Sequence, residues 1–266
     1  MIAAAAVLSA LLAPIAFGEG GHWLILDRGT HRVRHLELPA KEVDDVALSA
    51  DGKTVAFIAP HENAAHALFV WRTGEKQATL VESSGGQFAG LAIGPDGFIY
   101  YSHSPVLVGN HTKETFAQIF RIRPDGSQRE QITDENGCHV ATSFAHGKLT
   151  YIHTDCRTHG DFTRVAEPEQ PEVLVTVASG ASEAQVSPDG TSVLFAVHRP
   201  EYNGIVETRR AGAQHELVKL SGHMKQARPA YGRSKHEVLF QDDQTVWVLK
   251  GGNRTAIAKL TEEGSP

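Results

Sequence analysis

Short runs of alternating apolar and polar residues, separated by tight turns, make up most of the chain. The clearest run covers residues 185–195, where Pro188-Asp189-Gly190 forms the turn and strand formers follow it. The pattern recurs at residues 48–57 and 93–100, and more loosely at residues 144–151 and 231–240. The turns lie near residues 51, 96, 146, 189 and 234, a period of 43 to 50 residues. A repeat of this length with four predicted strands is typical of a β-propeller blade.

The repeat divides the chain into five full units and one partial unit. Residues 22–38 form a predicted strand pair that matches the second half of the later units, so the chain opens in the middle of a blade. The full units cover residues 40–83, 84–135, 136–178, 179–221 and 222–261. We therefore predict an all-β propeller, with six blades of four-stranded antiparallel sheet and an incomplete sixth blade.

Composition and charge limit the classes of partner that the protein can bind. The net charge of −6 and the pI near 6.2 leave no basic footprint, which argues against nucleic acid as a partner. The regular spacing leaves no gap for a domain boundary, so residues 19–266 are predicted to form a single domain, and a monomer is expected.

The first 18 residues are predicted to be a signal peptide. An apolar run extends from Ile2 to Phe17 and is followed by Gly18-Glu19-Gly20, and Ala16-Phe17-Gly18 forms a small-x-small cleavage pattern at its end. The alternative is a buried N-terminal helix or a short uncleaved anchor. The first interpretation predicts a periplasmic or secreted protein without stable membrane insertion.

The only two cysteines, Cys138 and Cys156, lie in the third full repeat. Each is nine residues from Gly147, at the centre of a predicted hairpin turn. If the two strands pair without a bulge, the two sulfurs face each other, and a disulfide is geometrically reasonable there. A disulfide would suit an oxidising compartment, whereas two half-buried thiols are the alternative.

The recurrent Ser-Pro-Asp-Gly turn, followed by Lys or Thr, a β-branched residue and Phe, resembles the blade motif of the TolB-like propellers. These are related to WD-repeat-like propellers and to the non-catalytic propeller domain of prolyl oligopeptidases. The motif is sharp around Ser49, Gly94 and Ser187; the third repeat has His146 in place of Asp, and the fifth has Arg233-Ser234-Lys235. The resemblance implies the fold but no single activity, because propellers carry many functions. The chain contains no Gly-x-Ser-x-Gly nucleophile motif, so peptidase activity is not expected.

Polar residues recur near the predicted central channel. The start of the first strand and the end of the second strand of each blade share one rim of the channel. Candidates at the first position are Asp45, Gln87, His139, Glu183 and Arg228, and those at the second are His61, His103, His153 and His198. We predict that Asp45, Gln87, Glu183 and Arg228 bind a ligand on the channel face.

Four of the histidines support an alternative chemistry. His103, His139, His153 and His198, with a carboxylate such as Glu183 or Asp45, could hold a divalent metal such as Zn, Mn, Ni or Ca. Histidines that only hydrogen-bond loop backbone would bind no metal and need no cofactor. The favoured function is thus an exported module that binds a protein or small molecule. The alternative is a metal-dependent lyase or hydrolase.

Overall fold

The computed structural model describes residues 13–19, 21–62, 64–105, 116–145, 148–154, 163–167, 170–177, 181–199, 201–209, 214–221 and 227–260. Within these ranges, 23 strands form six antiparallel sheets, and the described residues contain no helix. The predicted all-β propeller of six blades is confirmed. No helix capable of crossing a bilayer occurs in the described ranges.

The sheets follow one another along the chain as blades 1 to 6. Blade 1 contains β1 (Ile15–Glu19), β2 (His22–Leu26) and β3 (Val33–His35). Blade 2 contains β4 (Asp45–Leu48), β5 (Thr54–His61), β6 (Ala64–Arg72) and β7 (Thr79–Ser83). Blade 3 contains β8 (Gln87–Ile93), β9 (Ile99–Ser104), β10 (Gln118–Ile122) and β11 (Glu130–Gln131). Blade 4 contains β12 (Cys138–Ala145), β13 (Lys148–Thr154), β14 (Thr163–Glu167) and β15 (Gln170–Val177). Blade 5 contains β16 (Ala181–Val186), β17 (Ser192–His198), β18 (Asn203–Arg209) and β19 (Gln214–Lys219). Blade 6 contains β20 (Ala230–Tyr231), β21 (Glu237–Asp242), β22 (Thr245–Lys250) and β23 (Asn253–Lys259).

Apolar layers between adjacent blades form the core. In blade 2, alternation sends Phe57 toward blade 1 and Ile58 toward blade 3, because successive side chains of a strand point to opposite faces. Equivalent layers join blades 3 and 4, 4 and 5, and 5 and 6. The ring closes where Phe17 and Leu24 of blade 1 pack against Leu239 of blade 6.

Blade 1 differs from the predicted strand pair. Residues 22–38 do supply β2 and β3, but β1 precedes them and pairs with β2. Pro14, just before β1, lies beside the turn residue Gly52, whereas Gly21, just after it, lies beside the backbone of Lys41 in the connection that leads to β4. Since β4 runs from that connection toward the turn, β1 runs in the opposite direction and corresponds to a second strand.

The predicted signal peptide overlaps this strand. Residues 1–12 lie outside the described residues, but the proposed cleavage site, Ala16-Phe17-Gly18, is buried within β1. Cleavage after Gly18 would remove all of β1 except Glu19. It would also remove Phe17 from the layer that closes the ring.

The cysteine register differs from the simple hairpin estimate. In blade 4, Cys138 pairs with Thr154 and His139 pairs with His153, and the register shifts between Val140 and Ser143. The assumption of a ladder without a bulge is therefore wrong, and Thr154, not Cys156, lies opposite Cys138. Cys156 itself lies outside the described residues, so the disulfide remains a prediction.

The recurring turn is held by its own side chains. Ser187 donates its hydroxyl to Asp189 Oδ1 at 2.8 Å, and Ser187 Oγ accepts the N–H of Ser192 at 2.9 Å. Asp189 Oδ1 also accepts the Thr191 N–H, and Gly190 has a φ of +71°. Blade 2 repeats this arrangement in its own turn. The sequence motif thus encodes a turn that requires glycine at its left-handed position.

Replacing this glycine should destabilise the protein through its backbone alone. Gly190→Ala should lower the free energy of unfolding by about 1 kcal/mol in urea denaturation, because a Cβ disfavours the left-handed conformation. No atom lies within 4 Å of the added Cβ, so a clash cannot cause the loss. Gly85→Ala is the control, because it also meets nothing within 4 Å and lacks a positive φ. Equal losses in both variants would contradict this explanation.

Candidate functional site

The central channel contains a cavity of about 370 Å³. Its wall is formed by β4, β8, β12 and β16, by the segment leading into β20, and by the start of β1. Leu91 and Phe144 contribute apolar surface to this wall. Asp45, Glu183 and Arg228 also line it, so three of the four predicted channel residues come together.

Asp45 and Arg228 brace the channel from opposite ends of the chain. Arg228 Nη2 donates to Asp45 Oδ1 at 2.8 Å, and both side chains are 11% exposed. The Arg228 guanidinium also lies over the Trp23 ring, 4.6 Å from its centroid. Asp45 Oδ2 accepts the N–H of Leu91 at 2.9 Å. This guanidinium therefore joins blades 6, 2 and 1.

Glu183 holds the start of the next blade. Its Oε2 accepts the N–H groups of Ala227 and Arg228 at 2.9 and 2.8 Å. Both Glu183 and Arg228 have a positive φ, +54° and +47°, and Glu183 lies in a register shift of β16. Desolvation in the channel wall raises the pKa of Glu183 to about 7, although the Arg228 charge and the two N–H groups oppose the shift.

Gln87 and His139 lie outside this group. Gln87 begins β8, pairs with Ser104 and is exposed. Gly90, three residues later, lines the cavity instead, as does Val140, the residue after His139. Glu183 and Arg228 lie six residues before their turns, and in blade 3 that spacing leads to Gly90.

The predicted histidines do not all converge. His103 Nε2 hydrogen-bonds Ser84 Oγ at 2.8 Å, and burial lowers the pKa of His103. His198 Nδ1 hydrogen-bonds Asn203 Oδ1 at 2.7 Å. Each of these rings is thus held by a neighbouring loop or strand residue.

His139 and His153 do come together. They face each other across the ladder of β12 and β13, with ring centroids 4.6 Å apart. His139 is fully buried, and neither ring nitrogen has a hydrogen-bond partner among the described residues, at a cost of about 1–3 kcal/mol. Burial and the His153 ring lower the pKa of His139 to about 4, so its ring is neutral at pH 7; the Ala117 carbonyl, which accepts the backbone N–H of His139 at 2.8 Å, opposes the shift.

Sequence reasoning missed two charged residues. Glu135, in the connection to blade 4, places Oε2 3.9 Å from His139 Nε2. Arg28, in the turn after β2, lines the cavity and donates from Nη1 to the Tyr231 carbonyl at 3.3 Å. Burial lowers the pKa of Arg28 to about 10, and no carboxylate of the described residues forms an ion pair with it. A charged residue in a predicted turn was the only available signal, and it is weak.

A family model described as the lipoprotein LpqB beta-propeller domain matches residues 29–266. The chain belongs to this family. A search of curated proteins found no match. Membership in the LpqB propeller family agrees with the six-bladed ring.

Three solved structures resemble the chain. TolB from Acinetobacter baumannii is 14% identical with a TM-score of 0.67, over 92% of this chain and 63% of that one. An oligogalacturonate lyase in complex with manganese is 13% identical with a TM-score of 0.59, over 86% of this chain and 70% of that one. A chain of a nidogen/laminin complex is 12% identical with a TM-score of 0.64, over 91% of both. At these identities the likeness shows the fold alone, and it confirms the TolB-like propeller architecture.

The raised pKa of Glu183 predicts a specific pH dependence of stability. Between about pH 4.5 and pH 7 the unfolded chain releases this proton while the folded protein keeps it, so stability should fall as pH rises. Glu183→Gln keeps an oxygen for the two N–H groups and removes this loss. Its thermal stability relative to the parent should therefore increase from pH 5 to pH 8, by on the order of 2 kcal/mol.

Melting temperatures across this pH range would test the prediction. Glu201→Gln, at an exposed position, is the control and should leave the profile unchanged. Parallel profiles for the parent and Glu183→Gln would show that the Glu183 carboxyl does not titrate in this range.

Proposed function

We propose that this propeller is an exported binding module that accepts an acidic segment of a partner protein, or a small carboxylate ligand, in its central channel. The single observation that carries the proposal is the Arg28 guanidinium. It lines the channel cavity, and its Nε is buried without a hydrogen-bond partner among the described residues.

The two channel arginines differ in how they are neutralised. Asp45 forms an ion pair with Arg228, whereas Arg28 contacts the uncharged carbonyl of Tyr231. A guanidinium matches the two oxygens of a carboxylate through parallel hydrogen bonds. An incoming carboxylate would therefore satisfy Arg28 without displacing the brace at Arg228.

The size and lining of the cavity suit such a ligand. A volume of about 370 Å³ falls within the range of small-molecule pockets, about 300–1,000 Å³. Leu48, Leu91, Ile93 and Phe144 supply apolar surface around the charged positions. An acidic side chain flanked by apolar residues combines both kinds of contact.

Export and a disulfide are part of the same proposal. The family description names a lipoprotein, and TolB shares the fold. A bond between Cys138 and Cys156 would suit an oxidising compartment. The exported state does not require cleavage at Gly18.

A metal-dependent lyase or hydrolase has less support. His103 and His198 have hydrogen-bond partners of their own, and His139 and His153 are not among the residues that line the channel cavity. We therefore propose binding without catalysis in the channel.

Loss of Arg28 should weaken binding of an acidic peptide. The probe is a fluorescent peptide of alternating leucine and glutamate, with a leucine–glutamine peptide as its neutral match. By fluorescence anisotropy, Arg28→Gln should raise Kd by about 10- to 100-fold, as expected for the loss of a charge-assisted hydrogen bond. Arg32→Gln, which removes an exposed charge from the same turn, should change Kd less than about twofold.

Two results would overturn the channel proposal. One is equal binding by the parent and Arg28→Gln, and the other is equal affinity for the glutamate and glutamine peptides.

Thiol titration tests the oxidised state. Protein recovered from the periplasm of an expression host and denatured without reductant should contain no titratable thiol, and two after reduction, because the sequence has two cysteines. The Cys138→Ser variant should show one thiol under both conditions. Two thiols in the unreduced parent would contradict the disulfide and weaken the case for export.

A further inference from the structure

Three donor side chains meet beside the junction of blades 3 and 4. Glu135 comes from the connection between the two blades, His139 from the start of β12 and His153 from the end of β13. We propose that these residues, here named the His139 cluster, bind one divalent transition-metal ion such as Zn²⁺, Co²⁺ or Ni²⁺.

The distances bring all three donors within reach of one ion. One ligand atom from each residue lies within 4.8 Å of the other two, and Glu135 Oε2 is 3.9 Å from His139 Nε2. The imidazole rings are tilted by only 32° relative to each other. Since zinc binds nitrogen and carboxylate oxygen at about 2.0–2.2 Å, the donors need to approach by roughly 1 Å.

The buried state of His139 is the second, independent observation that points to a ligand. Its side chain has 0% exposure, and both ring nitrogens lack hydrogen-bond partners among the described residues. Buried polar atoms are nearly always paired, so an unpaired buried imidazole requires an explanation. A neutral imidazole offers one unprotonated nitrogen, which is the form that binds metal.

His153 is oriented as metal-binding histidines commonly are. Its Nε2–H donates to the carbonyl of Asn136 at 3.0 Å, so Nδ1 is the ring nitrogen left for a metal ion. A second nitrogen bonded to a backbone carbonyl fixes the tautomer and the ring position. Gly137 permits this approach, because a Cβ there would lie 2.4 Å from His153 Nε2 and its φ is +118°.

The donor set selects the class of metal. Two imidazoles and one carboxylate suit zinc, cobalt and nickel better than calcium or magnesium, which prefer oxygen ligands. The Glu135 side chain is 44% exposed, so it can adjust its position and water can complete the coordination. The bound ion would tie the connection between the blades to the first hairpin of blade 4.

The site is separate from the channel proposal. None of the three residues lines the channel cavity that contains Arg28. Either site can therefore fail without the other.

Cobalt titration provides the direct test. Protein without a histidine tag is treated with EDTA, dialysed and titrated with Co²⁺, with absorption in the visible region and calorimetry as readouts. The parent should bind one equivalent, and Zn²⁺ should displace it. Glu135→Gln and His153→Gln should each weaken binding by at least about tenfold. His103→Gln and His198→Gln are matched controls that remove histidines outside the cluster, and they should bind like the parent.

Thermal melting separates metal binding from folding. Zn²⁺ at about 100 times its Kd should raise the Tm of the parent by on the order of 5 °C, and should raise that of His153→Gln much less. If His153→Gln does not fold, Glu135→Gln decides, because its side chain is half-exposed. The proposal is overturned if the parent binds no Co²⁺, or if Glu135→Gln binds it as tightly as His198→Gln does.

Discussion

The apolar contact between the first and last blades is the interaction on which the channel depends. Among the described residues, the two blades share no sheet, so ring closure depends on the packing of Phe17 and Leu24 against Leu239. Two polar contacts from the turn between β2 and β3 reinforce this closure: Arg28 donates to the Tyr231 carbonyl, and His31 pairs with Glu237. Since Arg28 and Trp23 come from blade 1 and Arg228 from just before β20, only a closed ring brings these groups together on one axis.

The carboxylates of the channel serve the ring before they serve any ligand. Asp45 accepts the N–H of Leu91 in the following blade, and Glu183 accepts two N–H groups where the chain enters blade 6. Each carboxylate thereby accepts backbone N–H groups where the regular ladder is interrupted, at the bulge in β8 and in the segment that leads into β20. Polar residues at recurring inner-strand positions of a propeller are therefore explained first by such contacts. Arg28 lies in the turn between β2 and β3, not at one of those positions, and stands apart from them.

Sequence periodicity predicted most of the fold but only part of the site. The Ser-Pro-Asp-Gly turns encode their own hydrogen bonds, so the hairpins and the blade count follow from local chemistry. Which residue of an inner strand faces a given partner is less predictable, because the register shifts in β8 and β12 cannot be deduced from apolar alternation. Asp45, Glu183 and Arg228 each lie six residues before their turns and converge, whereas Gln87 lies nine residues before its turn and Gly90 takes its place. The shift in β12 places Thr154 opposite Cys138.

The histidines show why equivalent positions need not share a role. Ser84 bonds His103 and Asn203 bonds His198, so each of these rings has a neighbour that fixes its position. His139 has no such neighbour among the described residues, although it is the most deeply buried of the three. Other buried polar atoms of the described residues, such as Arg28 Nε, also lack a hydrogen-bond partner, but among the described histidines only His139 has both ring nitrogens buried and unpaired. Such exceptions to the pairing rule occur mainly at functional sites. His153 occupies the position equivalent to those of His103 and His198, yet it lies beside His139, whose environment calls for a ligand.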